Sequence, residues 1–380
     1  MRKRKVIFRR AQCLLVYWRD GRLCFYNFAN RLRTSGKPIT CEVLSFFDTW
    51  RTSEDAIGRF ADYNSTSVRS TVSELADRRL LLQKGSPEAE HDDQIANAWS
   101  AWLPEGSFHF STKDTPYVDR TNWSFDSVKP FLPKTPQPKI FKTIKGAKNV
   151  LLPPQRTFGQ SEFIRVLKAR KTHRRFSKEK VPLESVSQLL YLVWGITGYR
   201  TCPRFGKSVF KTSPSGGARH PGEVYLMALH VKGLRAGLYH YQPATHRLQT
   251  ISTNTSREKA WLYCARQHFI KHAAALFMMT AVFPRTMWKY DFPRAYRVVL
   301  LDAGHLCQTF CLVATWLGLA PFCTAALKDT LIEEDLGIDG IRESVLYIAG
   351  LGVPATSVPA RRQFSRNVDR HARSPSKDAV

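Results

Sequence analysis

Lys289 and Tyr290 stand side by side in "RTMWKYDFPRAYRVVLLDAGHL", which runs from Arg285 to Leu306 just after a hydrophobic run. An ammonium and a phenol can each take or give a proton once a dry pocket shifts their affinity for it. Arg285, Arg294 and Arg297 add cations on both sides. Alone, a Lys-Tyr dipeptide is an ordinary surface pair. Its chemistry has to be argued from other parts of the chain.

Two further stretches have the residue types for a ligand. "ARKTHRRFS", Ala169 to Ser177, offers Arg170, Lys171, Thr172 and Arg174 within five residues. Three cations and a hydroxyl at that spacing suit a phosphate dianion, which wants charge-assisted donors. A basic run is also how a solvated face reads. "KTSPSGGARHPGEVYL", Lys211 to Leu226, places Ser215, Gly216 and Gly217 in a tight turn before a strand. Glycines let backbone approach a flat ring or a phosphate without side-chain clash. The same letters also fit an ordinary loop. His220, His240 and His305 are acid–base candidates by type. His305 lies in an apolar helix and reads as a core histidine, His220 as a supporting group beside the glycine turn, and Asp302 as a helix cap.

These pieces need elements to position them. A chain of 380 residues with 43% hydrophobic content is long enough for two or three domains with full cores. No uninterrupted apolar window long enough for a membrane span appears, and the basic start "MRKRKVIFRRAQCLLVYW" lacks the small-residue site of a signal peptide. Of the eight cysteines none forms a Cys-x-x-Cys pair, so buried thiols in a reducing, cytoplasmic chain are expected, without a metal site. The net charge is +27, unevenly spread. Residues 1–100 hold 17 Lys and Arg against 12 Asp and Glu, residues 101–300 hold 33 against 10, and residues 301–380 hold 8 against 9. The basic excess in the middle favours an anionic ligand or acidic partner there over a nucleic-acid module at the start.

Residues 1–100 read as a small winged-helix-like domain. "RLCFYNFANR" reads as a strand, and "CEVLSFFDTW" and "SEDAIGRFAD" as short helices. Val68, Val72 and Leu75 fall on one helical face, and "RLLLQ" follows as a strand. Residues 101–155 read as an irregular connector dense in Pro and Lys. Residues 156–360 alternate helices with strands. "ESVSQLLYLVWGI" and "DAGHLCQTFCLVATWLGLA" are helical, while "EVYLMALHV", "GLYHYQ", "HRLQTI", "HAAALFMMTAVF" and "SVLYIAGLGVP" are strands. The expectation is an α+β domain, a mostly antiparallel sheet flanked by helices. Residues 361–380 read as a disordered polar tail.

Taken together, "RKTHRRFS", "PSGGARHPGEVYL", "RAYRVVLLDAGHLCQTFCLVATWLGL" and "VLYIAGLGVP" resemble, in order, the motifs of the nitroreductase-like FMN fold. Within that fold they resemble the SagB-type dehydrogenases, the azoline or thiazoline oxidases. The resemblance covers about 160–355. It implies FMN at a homodimer interface, with Arg170, Lys171, Thr172 and Arg174 on the phosphate and Ser215, Gly216 and Gly217 along the ring system. Lys171 and Thr172 replace the usual Arg and Ser, and Ala320 replaces a glycine. Arg361 and Arg362 are further candidates for closing on the phosphate.

The resemblance also makes Lys289 and Tyr290 the catalytic pair. An adjacent ammonium favours a phenolate and a dry pocket favours a neutral amine, so either could be the base. In a strand the two would point to opposite faces, one of them only positioning substrate. The implied function is oxidation of peptide thiazolines and oxazolines to azoles in ribosomal peptide natural-product maturation, with oxygen as final acceptor. A modified precursor peptide gripped by the N-terminal domain, and a cyclodehydratase complex, are the implied partners; neither membrane nor nucleic acid is expected. Two alternatives remain: an NAD(P)H-dependent nitroreductase or quinone reductase, and a non-catalytic peptide- or nucleic-acid-binding partner.

Overall fold

The apolar run Ala275–Val282 forms a strand at the centre of the molecule, and seven of its eight residues are buried. It shows no alternation because both faces of its sheet are covered. The computed structural model describes residues 5–115, 140–141, 148, 152, 161–203 and 206–355. The Pro/Lys-rich connector beyond 115 lies almost wholly outside the described residues, as do the tail after 355 and with it Arg361 and Arg362.

The N-terminal part holds strands β1 (Ile7–Arg10), β2 (Leu14–Arg19), β3 (Arg22–Asn27) and β4 (Leu32–Gly36), then helix α1 (Pro38–Phe46). Strand β5 (Arg51–Thr52), helices α2 (Ser53–Arg59) and α3 (Ser65–Asp77), and strand β6 (Leu81–Gln83) follow. The small sheet runs β5-β1-β6, and β2-β3-β4 is a separate meander. Helix α3 buries Val68, Val72 and Leu75, the face its spacing predicts, and Asn64 caps its start by accepting from Thr66 N at 2.9 Å. Helix, helix, strand on a three-stranded sheet is the winged-helix-like arrangement expected.

Two helices were not expected: α4 (Pro87–Ala98) and α5 (Leu103–Thr112). The second falls where irregular chain was predicted. Pro104 lies in the first turn of α5, where its missing N–H has no helical acceptor to lose, and Glu105 favours the positive helix start.

The C-terminal part opens with α6 (Glu162–Ala169), β7 (Val181–Pro182), α7 (Leu183–Trp194) and the hairpin β8 (Gly198–Cys202) and β9 (Gly206–Phe210). Then come β10 (Gly222–Ala228), β11 (Val231–Lys232), β12 (Gly237–Gln242), β13 (Arg247–Ser252), α8 (Arg257–Tyr263) and β14 (Ala275–Val282). The chain closes with α9 (Phe283–Met287), α10 (Ala295–Trp316), β15 (Ala320–Thr324), α11 (Asp329–Leu336) and β16 (Glu343–Gly352).

Strands in the order β13-β12-β10-β14-β16-β15 make one six-stranded sheet, antiparallel throughout. One face packs on α7 and α10 through Leu189, Val193, Trp194, Leu306 and Phe310. The other packs on α8 and α11 through Tyr263, Ile332 and Leu336. Side chains of β14 alternate between the two layers: Phe277 and Met279 go one way, Leu276 and Met278 the other. By length and composition α10 could span a membrane, yet nine of its residues are buried within this fold.

A third core fuses the two parts. Trp99, Trp102 and Phe110 pack with Phe283, Ala295, Tyr296 and Ile341. Trp99 Nε1 donates to the Ile341 carbonyl at 2.9 Å, which leaves this buried indole satisfied.

Candidate active site

The glycine turn is pinned from α10. Ser215 Oγ donates to Asp302 Oδ2 at 2.5 Å, and the Gly216 N–H donates to Oδ1 at 3.3 Å. The His220 N–H closes the turn onto Ser215 Oγ at 2.8 Å. Gly217 has φ +60, and Ala218 and His220 follow at +55 and +45. Left-handed backbone at two non-glycine residues stores strain that the surrounding bonds must hold. Asp302 is therefore not a helix cap. It is buried well inside α10, where desolvation raises its pKa while the Ser215 and Gly216 donors oppose the shift. Sequence reading missed this role because Ser215 lies 87 positions away.

Lys289 and Tyr290 are not in a strand. Both their N–H groups donate to the Thr286 carbonyl, at 3.1 and 3.0 Å, at the frayed end of α9. The expectation of opposite faces is thus overturned, because both side chains reach the same glycine. A Cβ added to Gly217 would stand 2.9 Å from Lys289 Nζ and would also collide with the Tyr290 hydroxyl. The Tyr290 carbonyl is held from the N-terminal part, accepting from Trp102 Nε1 at 3.1 Å.

A polar network borders the pair. Arg285 donates to the His220 carbonyl at 3.2 Å and to Glu223 Oε1 at 2.5 Å. The other Glu223 oxygen meets His240 Nε2 at 2.8 Å. Burial alone would raise the Glu223 carboxyl, but the bonds from His240 and Arg285 bring it below its usual range. That bond raises His240 in turn. Burial, with Lys211 nearby, lowers His220 to about 4, so it sits neutral in the turn with Nε2 3.1 Å from the Val209 carbonyl. His305, expected in the core, is exposed on the outer face of α10.

The cationic stretch forms a strap over the sheet's edge. The His173 N–H donates to the Pro321 carbonyl at 2.9 Å and the Ser177 N–H to the Val353 carbonyl at 2.8 Å. Lys171, Thr172 and Arg174 are exposed, and the Arg174 guanidinium lies 5.6 Å from the Phe269 ring centroid. Arg170 is half-buried, and its charge favours thiolate at Cys311 and Cys323.

So the structure joins the glycine turn to the Lys-Tyr pair directly. The strap approaches the same helix, α10, further along: Asp302 and Cys311 are about 13 Å apart at 1.5 Å per residue. A cation-rich strap at one end and a side-chain-free turn at the other fit a ligand with an anionic tail and a flat ring. Ala320 lies in β15, beyond the Gly318 turn that ends α10.

The Nitroreductase family model matches residues 167–353. The nitroreductase-named protein MJ1384 of Methanocaldococcus jannaschii is 32% identical over 173 residues, covering 46% of this chain and 83% of that protein. This chain belongs to the nitroreductase family. It is accordingly an oxidoreductase. The trifolitoxin-processing protein TfxB of Rhizobium leguminosarum bv. trifolii is 25% identical over 327 residues, 79% of this chain and 85% of its own length. Among solved structures, the Escherichia coli microcin synthetase McbBCD complex with truncated pro-MccB17 bound superposes with a TM-score of 0.51 at 20% identity, covering 67% of this chain and 92% of the matched one. That likeness shows the shared fold.

Proposed function

We propose that this nitroreductase-family protein is an FMN-dependent dehydrogenase that oxidises thiazoline and oxazoline rings of a ribosomally made peptide to thiazoles and oxazoles. The observation that carries this reading is the similarity to the trifolitoxin-processing protein, which extends beyond the 167–353 family segment. Arg170, Lys171, Thr172 and Arg174 hold the phosphate of FMN in this reading, and Ser215, Gly216 and Gly217 flank its ring system. Bound FMN supplies a hydride acceptor. The ring loses one proton and one hydride and becomes aromatic. Lys289 or Tyr290 takes the proton, since both reach the glycine turn. The N-terminal domain grips the peptide, and the basic middle of the chain suits acidic peptide segments. A cyclodehydratase supplies the ring, and the cytoplasm provides the reducing surroundings.

The active form in this reading is a homodimer. Helix α6 buries none of its residues and exposes Phe163 and Leu167, and α10 exposes Leu300, Leu301 and Trp316. Apolar faces of this kind are covered by a second copy in symmetric oligomers.

The similarity to the M. jannaschii protein favours a second reading, an NAD(P)H-dependent reductase. One experiment separates the two. FMN-loaded protein is given a thiazoline-bearing peptide in air and followed by mass spectrometry. Loss of two hydrogen atoms per ring supports the dehydrogenase. Flavin bleached by NADPH, with the peptide mass unchanged, supports the reductase.

A further inference from the structure

Three of the eight cysteines converge at one point, although their sequence spacing suggests nothing. Cys307 and Cys311 are four residues apart on α10 and so share a helix face. Cys323 comes from β15 beneath them. The three Sγ atoms all lie within 4.8 Å of one another. Three thiolates around one ion at a metal–sulfur length of about 2.3 Å stand roughly 4 Å apart, so only small side-chain adjustment is needed to close the set. A disulfide would need two sulfurs at about 2.05 Å, and all three cysteines are free.

The surroundings suit negatively charged sulfur. Tyr347 donates its hydroxyl to Cys323 Sγ at 3.2 Å. Cys307 and Cys311 also donate to Cys323, and with Tyr347 and Arg170 they push its pKa far down while that of Cys307 rises. One thiolate, stabilised by its neighbours, is thus preformed, and the thiolate is the form that binds metal. Cys307 and Cys311 are buried, but Cys323 is only partly covered, which leaves a way in. Three thiolates and a divalent ion sum to one negative charge, which the Arg170 guanidinium offsets. Soft sulfur donors without carboxylates select thiophilic d10 ions over magnesium, calcium or manganese.

We propose that Cys307, Cys311 and Cys323 form a three-thiolate site for a thiophilic d10 metal ion, zinc(II) or copper(I) in kind, that clamps α10 to β15. It would be separate from the Lys289–Tyr290 pair and would fix the ground on which the cationic strap rests.

The test uses reduced, full-length protein and cadmium(II) as a spectroscopic probe. The expected result is one tightly held equivalent with a sulfur-to-cadmium charge-transfer band, and alkylation mapping that finds Cys307, Cys311 and Cys323 protected. Cys323→Ser should weaken binding by more than about 100-fold, beyond the loss typical of an outer-shell partner. Cys41→Ser, at a half-buried cysteine outside the cluster, should leave binding unchanged. If Cys323→Ser does not fold, the alkylation map on the wild type decides alone. No charge-transfer band, equal alkylation with and without cadmium, or a disulfide between any two of the three would overturn the proposal.

Discussion

Gly217 carries no side chain, and the contact between the turn and the Lys-Tyr pair depends on that. Its φ of +60 is one that other residues adopt at a cost of about 1–2 kcal/mol. Its missing Cβ is the space into which Lys289 and Tyr290 reach. Gly217→Ala should therefore lower stability by about that amount and displace both side chains, so that ring oxidation falls far more than thermal stability does. Matched activity and melting measurements check it; a variant as active as the parent would mean the pair does not work at this turn. Lys289→Ala and Tyr290→Phe test the pair itself. The one that acts as base should lower kcat on the order of 100-fold or more with FMN still bound, and should remove a limb of the pH–rate profile. Full activity in both would refute the assignment. Residue types and spacing foretold the cationic strap, the glycines and the pair. They could not foretell Asp302 or Glu223, whose partners lie 87 and 62 positions away along the chain.

Helices and strands with strong periodicity were legible: α3, α7, α10 and the sheet strands fall where apolar spacing puts them. The helices that escaped are those whose apolar face meets the other half of the molecule. Helix α5 is one, with a first-turn proline easily taken for a breaker. It also carries His109, whose Nδ1 lies 3.0 Å from the Tyr296 hydroxyl and whose ring stacks on Trp99 at 5.1 Å. Complete burial, with Lys113 adding to it, lowers the His109 pKa to about 3. The unfolded chain binds a proton near pH 6.5 that the folded chain refuses, so this histidine contributes stability above that pH which is lost as the pH falls towards 3. Between pH 6.5 and 4.5 the loss should be on the order of 2 kcal/mol. His109→Phe keeps the aromatic packing and should flatten that part of the acid limb. Melting curves at the two pH values for parent and variant decide it. An identical acid loss in both would show that His109 is not the group responsible.

At the scale of the whole molecule, composition and charge indicated a two-part, basic, globular chain. They did not indicate how closely the parts join. Trp99 and Trp102 are fully buried against Phe283 and Tyr296, so the N-terminal part supplies one wall of the catalytic part. What stays uncovered is apolar surface on the opposite side of α10. Leu301 is 61% exposed, Trp316 46%, and Phe163 of α6 66%. Burying such groups gains roughly 25 cal/mol per Å² of apolar surface, and a two-fold axis uses each patch twice. A charge placed at the centre of that surface would be desolvated without a partner, at a cost of several kcal/mol. Leu301→Glu should thus leave the protomer folded, since that side chain faces solvent within one chain, while shifting the parent dimer to monomer in sedimentation. Where FMN sits between two subunits, as the family resemblance implies, flavin content should fall in step with dissociation. A monomeric parent would remove the dimer from the proposal. A monomeric variant that retains its flavin would place the cofactor site within a single chain.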